Sequence, residues 1–595
     1  MAEGLWSRPG AKRVHQTLPR HMRRRAMSHN AKRLPVRLRQ AAERDIIETG
    51  SHTTSEKRKR SRRHRRRPGN IAEEYESRSE ACTWLETHIW HAKRMHIVDM
   101  WGWRLPRTPC DKSARATHRA TSTDCTIRDR SYNGCIEISA MLGGSGGGGE
   151  AEAAGRLVAF LSKFMQHMEA VPQASNVEHT RGFYATRTAA AGGAGGGGGG
   201  GGAAAADRGG ECFVGTVAVM WRCAGIGGGG AAGGGGSAVA NGPGATVWVW
   251  VHASSYDSIL SILMQAAVDG DGDGDEGGAI GVTGRKNQLV RFELTGPTCH
   301  AVLQSVLTPA QGAAGAAAGT DAPGDGAATV AATTAVATAA DAAAAAAAQQ
   351  QQQAQLWRAL LPLGSAASLS PSVMLGLTVT DPRLLSPSQT KPRTGPAARA
   401  ARNAAHHNDP ADLTKLMVEW PADAARSAVW SEDVRASLLA AQQSTKDINV
   451  RREALLIPGD SLPVQDNDAQ IPILLVQRPG VARAAAPTAG SGGSTADRGC
   501  TLGYGGGWDL VVPSGWAMAF WLPLVLAGAR AIGIDEYRAT ALEMGVLTEP
   551  YDNPDTMSHA DHAATTAADA EAFHARRPVE IDKFPLRNRE SAREH

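Results

Sequence analysis

The side chains in this sequence best fitted to chemistry are rings and cations packed into one short stretch. His88, Trp90, His91, Lys93, Arg94 and His96 fall within residues 84–96 (WLETHIWHAKRMH). Planar rings can stack on unpaired bases while the neighbouring cations neutralise phosphates, so the pattern points to RNA contact. Metal ligation is the competing chemistry. Spacings of three and five among His88, His91 and His96 do not line one helical face as an i, i+4 pair would, and no HExxH is present. At least one of Trp84, Trp90 and Trp101 is expected to fill a core instead.

Other chemistries find less support. No glycine tract continues into GK[ST] or stands as GxGxxG between a strand and a helix, which argues against a phosphate loop. Residues 269–275 (DGDGDGD) imitate the opening of a calcium loop through Asp269, Asp271, Asp273 and Gly274, but Ile280 stands where a bidentate Glu is needed. An acidic linker is the expectation there, and no metal site is assigned. Eight scattered cysteines form no CxxC pair, which fits a reducing compartment. No Ser/His/Asp or Cys/His set has interpretable spacing, although spacing alone does not exclude a triad, and no cofactor is expected.

The cations extend upstream in two blocks. Residues 18–39 (LPRHMRRRAMSHNAKRLPVRLR) carry Arg20, His21, Arg23, Arg24, Arg25, Asn30, Lys32, Arg33 and Arg37; residues 57–67 (KRKRSRRHRRR) carry Arg62, Arg63, Arg65, Arg66 and Arg67. Residues 11–67 hold twenty Lys and Arg against four Asp and Glu, a net of +16, whereas the whole chain is +5. The chain from Pro68 onward is therefore net negative by 11. A cationic arm on an acidic body is the footprint of a polyanion binder. Like-charge repulsion should keep the arm from folding alone. The second block is also dense enough for nuclear import, whereas His, Met, Asn and Pro punctuate the first and suit a segment threading along folded RNA.

These groups need elements to position them. Leu85, Ile89, Ala92 and Met95 recur at roughly helical spacing, so residues 84–101 are expected to form a helix ended by Pro106 and Pro109. Residues 135–138, 213–221, 246–252 (TVWVWVH), 289–294 (LVRFEL) and 471–477 (IPILLVQ) read as strands. Residues 256–268 and 299–307 read as helices. Residues 510–529 carry no charge and are long enough to cross a bilayer, yet Pro513, Ser514, Gly515 and Pro523 break them into strand, turn and short helix. Strands mixed with helices give an α+β body with an extended basic arm. Low-complexity insertions at 143–149, 192–206, 225–236, 312–353 and 484–493 are expected to be disordered surface expansions, the Ala/Gln tract flickering as helix without a packing partner. The expected divisions are an arm (1–67), a Trp/His region (68–142), an α/β body (150–310), an Ala/Gln linker (311–356), a central domain (357–556) and a tail (557–595).

The two basic segments LPRHMRRRAMSHNAKRLPVRLR and RRHRRRP (residues 62–68), with WLETHIWHAKRMH, resemble the N-terminal signature of the largest protein subunit shared by eukaryotic nuclear ribonuclease P and ribonuclease MRP, the "processing of precursors, subunit one" family. GLTVTDPR (376–383), IPILLVQRPG (471–480), GWDLVVP (507–513), WAMAFWLP (516–523) and PYDNPDT (550–556) resemble its central POPLD domain. The resemblance implies a non-catalytic scaffold that binds the RNAs of ribonuclease P and ribonuclease MRP together with their other protein subunits, and precursor tRNA indirectly. Chemistry would belong to the RNA, in 5′-leader removal and ribosomal RNA processing, in the nucleus and nucleolus and away from membranes. It also implies a body distantly similar to folate-binding aminomethyltransferases. After Thr556 the likeness fades, and a further C-terminal domain of the family is expected to be missing. A folate- or nucleotide-dependent transferase with a nuclear basic tail is the alternative function; a chromatin or membrane-surface protein is a third.

Overall fold

The computed structural model describes residues 14, 31, 34–48, 71–111, 114–141, 150–168, 177–186, 211–222, 243–270, 280–310, 330–385, 410–421, 423–457, 459–484 and 500–575. The chain divides into two compact units, Met1–Ala81 and Cys82–His595.

In the first unit, helices span Val36–Glu48 and Ile71–Ser79. Leu34, Leu38 and Ala42 recur every four residues and so share one side, where Val14, Ala31, Leu34 and Ala42 form a small buried cluster. The Val14 amide donates to the Asp45 carboxylate at 3.1 Å. The expectation that residues 1–67 cannot fold alone is thereby corrected for Val36–Glu48, whose Leu38 and Ala42 pack on this cluster although its first turn belongs to the first basic block. Most of the arm, the insertions at 143–149, 192–206 and 225–236, and Asp271 and Asp273 of the acidic run lie outside the described residues.

The second unit begins with β1 (Thr83–Trp84), β2 (Met95–Met100) and β3 (Trp103–Pro109), a small sheet in the order β1-β3-β2. Next come β4 (Thr126–Asp129), β5 (Gly134–Met141), β6 (His179–Thr186), β7 (Glu211–Trp221), β8 (Pro243–Val251), β9 (Ile280–Gly284) and β10 (Leu289–Thr295). The remaining strands are β11 (Met374–Thr380), β12 (Gln470–Arg478), β13 (Val481–Ala484), β14 (Cys500–Tyr504), β15 (Gly507–Pro513) and β16 (Arg530–Ala531). They make a six-stranded sheet β11-β12-β15-β10-β4-β16, a five-stranded sheet β6-β7-β8-β5-β9 and the pair β13-β14.

Strand alternation assigns the layers. In β8, Val247, Val249 and Val251 join a core under helices Glu150–Ser162 and Tyr256–Gly270, while Trp248 and Trp250 point to the opposite face. In β12, Ile471, Ile473 and Leu475 face a core built with helices Cys299–Val306 and Ala517–Leu526, while Leu474 and Val476 meet Trp248 and Trp250. The body is thus helices, sheet, sheet, helices, in agreement with the α+β expectation. Residues 510–529 form β15, a turn and a ten-residue helix, as their breakers dictate. Among the described residues no helix is long and apolar enough to cross a membrane.

Residues 312–329 of the Ala/Gln tract lie outside the described residues, and the expectation that the tract has no packing partner is corrected at its end. Helix Val330–Ala359 ends by packing Ala354 and Trp357 into the core, and buried Gln353 donates from Nε2 to the carbonyls of Ala424 (3.3 Å) and Arg426 (2.6 Å).

Candidate nucleic-acid interface

Of the nineteen residues assigned to RNA contact, Arg20, His21, Arg23, Arg24, Arg25, Asn30, Lys32, Arg33, Arg62, Arg63, Arg65, Arg66 and Arg67 lie outside the described residues. Arg37 is exposed on helix Val36–Glu48 of the first unit.

The segment WLETHIWHAKRMH departs from the expected helix. Only His88–Ala92 is helical, because Met95–Pro109 turns back as the hairpin β2–β3. Its two-residue loop, Trp101–Gly102, has φ of 53° and 74°, the pairing that matches strand twist in a tight hairpin. Each signature residue then has a definite place. Leu85 is buried with Trp103, Leu105, Tyr132 and Ile534. The Glu86 carboxylate accepts from the amides of Gly515 (2.7 Å) and Ala517 (3.1 Å), and so satisfies backbone donors where helix Ala517–Leu526 begins. Burial nevertheless raises the Glu86 pKa, these two bonds offsetting only part of that cost. The Thr87 hydroxyl donates to buried Asp129.

The histidine assignments are corrected. His91 has no exposed surface and His88 only 6%. The His91 ring packs edge-on against Trp521 at 4.9 Å, with Nδ1 3.3 Å from Met95 Sδ. Burial first, then the neighbouring cationic groups, lowers His88 to about 4 and His91 to about 3. Neutral, enclosed rings are not available to stack on bases. Trp90 is half-buried against Trp521 at 5.3 Å, so it too is largely a packing residue. Lys93 and Arg94 remain exposed, with the Arg94 guanidinium 4.5 Å over the Trp90 ring. His96 is exposed on β2. Among the described residues no three His, Cys, Asp or Glu side chains gather as a metal site would require.

Sequence reasoning missed a second constellation. The layer between the sheets is apolar around Trp248 and Trp250 but ionic beyond them. Arg291 and Glu293 alternate with core-facing Val290, Phe292 and Leu294 on β10 and therefore face this layer. Arg291 binds Asp509 (2.6 Å) and Glu178 (2.8 Å); Arg478 binds Asp509 (2.7 Å) and Glu293 (3.2 Å); Arg128 pairs with Glu293 and reaches Tyr132 at 3.0 Å. Burial alone would raise the Glu293 carboxyl, but Arg128, Arg478 and Arg130 outweigh it and hold it well below the usual range. The available signal was the charge at alternate positions of LVRFELT, since a buried strand tolerates such charges only with partners.

This architecture carries sequence likenesses that agree with one another. The family model "Ribonucleases P/MRP protein subunit POP1, N-terminal" matches residues 7–72 and 61–141, and the POPLD (NUC188) domain model matches 507–581. "Ribonucleases P/MRP protein subunit POP1" of Homo sapiens is 25% identical over 626 residues, covering 95% of this chain and 54% of the human protein.

The chain carries POP1 N-terminal and POPLD regions and aligns with POP1 subunits along most of its length.

The Arabidopsis thaliana POP1 subunit is 22% identical over 84% of this chain and 54% of its own length, and Caenorhabditis elegans popl-1 is 38% identical over 22% and 17%. The chain thus spans about half the length of the human and Arabidopsis relatives. The POPLD match runs to residue 581, which corrects the expectation that likeness fades after Thr556. It begins at 507, so the segments at 376–383 and 471–480 lie outside it. Among solved structures, glycine cleavage system aminomethyltransferase T from Bartonella henselae is 15% identical, with a TM-score of 0.23 over 38% of this chain and 43% of that one. At that score the likeness carries no argument about a site.

Proposed function

We propose that the chain is a non-catalytic RNA-binding scaffold subunit of ribonuclease P and ribonuclease MRP. In this role it supports removal of the 5′ leader from precursor tRNA and processing of ribosomal RNA in the nucleus and nucleolus. The observation that carries the reading is the net +16 of residues 11–67, which coincides with the POP1 N-terminal match over residues 7–72. The arm neutralises RNA phosphates, and Lys93 and Arg94 add two exposed cations on the body. Glu86, Trp90 and His91 of WLETHIWHAKRMH anchor that segment to the POPLD-matched region, which gives a packing reason for the motif.

Affinity purification of the full chain from its own cells is expected to recover a discrete structured RNA that nuclease treatment removes. Recovery of bulk RNA with no discrete species overturns the reading. Changing Arg23, Arg24 and Arg25 together to Ala is expected to weaken binding to structured RNA more than removing three charges from residues 57–67; equal losses would count against threading by the first block.

A further inference from the structure

Beyond the apolar part of the inter-sheet layer lies a cavity of about 510 Å³, within the size range of small-molecule sites. Its floor is the ionic face of β4 and β10. Its other walls come from β7, β8, helix Ile534–Met544 and the segment leading to Glu549.

Charge accounting across this cavity leaves two groups over. Arg128, Arg291 and Arg478 are matched by Glu178, Glu293 and Asp509 at ion-pair distance. Arg130 stands apart: its nearest carboxylates, Glu293 and Asp509, are 3.9 Å away and already engaged by closer guanidiniums, and its side chain keeps 30% of its surface exposed. With the Asn133 amide turned to accept, Arg130 Nε and Nη2 donate to it at 2.9 and 3.2 Å, a neutral partner for a full charge. Glu549 is the second. Its hydrogen bonds come from the Thr216 amide, the Thr216 hydroxyl (2.8 Å) and Asn553 (3.4 Å), all to Oε1, and no cation lies within ion-pair distance of it among the described residues. Arg130 is near enough to lower its pKa, though burial dominates and raises it. The wall also includes Trp250, only 3% exposed, whose Nε1–H has no acceptor among the described residues. Ala218, Ile532, Met544, Val546 and Leu547 supply apolar lining.

A guanidinium and a carboxylate that are each under-engaged, facing one cavity with apolar walls, are complementary to a ligand bearing both charges. We propose that this cavity binds a small amphoteric molecule with an apolar body, its anionic group on Arg130 and its protonated nitrogen on Glu549. Apolar α-amino acids are the smallest members of that class. A purely structural ion network would instead leave the space to water and bind no such molecule.

The test is isothermal titration of the full chain with two matched sets of probes. One set is L-leucine, 4-methylpentanoate and 3-methylbutylamine; the other is L-tryptophan, indole-3-propionate and tryptamine. In at least one set the amino acid is expected to bind about 10–100-fold more tightly than either fragment, since each fragment leaves one of the two charges unanswered. At ten times its Kd it should raise Tm by about 2 °C. Arg130→Gln is expected to remove the advantage over the amine, and Glu549→Gln the advantage over the acid. Arg130→Lys, which keeps the charge, should retain it within several-fold even if Arg130→Gln folds poorly. Absence of binding by both amino acids, equal binding of fragments and amino acid, or an advantage that survives both neutral substitutions overturns the proposal.

Discussion

Acidification from pH 7 to pH 5 should destabilise this protein through two histidines of its N-terminal signature. His88 and His91 are held neutral in the fold, near 4 and 3, whereas an unfolded histidine titrates near 6.5. A depressed base pKa means that stability is complete above 6.5 and is lost as pH falls through that value toward the folded ones. At pH 5 each unfolded ring has gained most of a proton that the folded ring refuses, a loss of about 2 kcal/mol each. Together they remove about 4 kcal/mol, a large share of an ordinary folding free energy. Urea unfolding at the two pH values measures the total. His91→Leu, which keeps the site apolar beside Trp521 and Met95, should cut the pH-dependent loss by about 2 kcal/mol whatever it does at pH 7. An unchanged pH dependence in His91→Leu would refute the enclosed, neutral histidine and reopen the possibility that it faces RNA.

Asp509→Asn removes the carboxylate shared by Arg291 and Arg478 while keeping its shape, and uncompensated buried charge should cost roughly 3–5 kcal/mol in the same urea experiment; a loss below about 1 kcal/mol would mean that the ionic layer is screened by water. Lys93→Ala with Arg94→Ala should change stability by less than about 1 kcal/mol, because both are exposed, yet make the salt dependence of RNA binding shallower by roughly 2 in slope. An unchanged slope would exclude those two cations from the interface.

Alternation made much of the fold legible. TVWVWVH and IPILLVQ each send one set of residues to a helix-covered core and the other to the layer between the sheets, so their strand character and burial on both faces follow from local pattern. The signature misled because Leu85, Ile89, Ala92 and Met95 fit a helix, while the hairpin that supersedes it depends on Gly102 and on the unusual positive φ of Trp101. What the signature residues do was hidden for another reason: Glu86 meets Gly515 and Ala517 more than four hundred positions away, and Arg291 meets Asp509 across 218. Composition reveals a charge but not its distant partner. The helix Val36–Glu48 was masked by counting charge over the whole arm, which averaged its apolar stripe with the charge of the two basic blocks.

The most direct test of the central claim is RNA affinity as a function of salt, for the full chain and for a chain lacking residues 1–67. If the arm engages about eight phosphates, the full chain should show a slope of log K against log salt near −7, and the shortened chain a much shallower one. The same slope in both would contradict an RNA-binding arm.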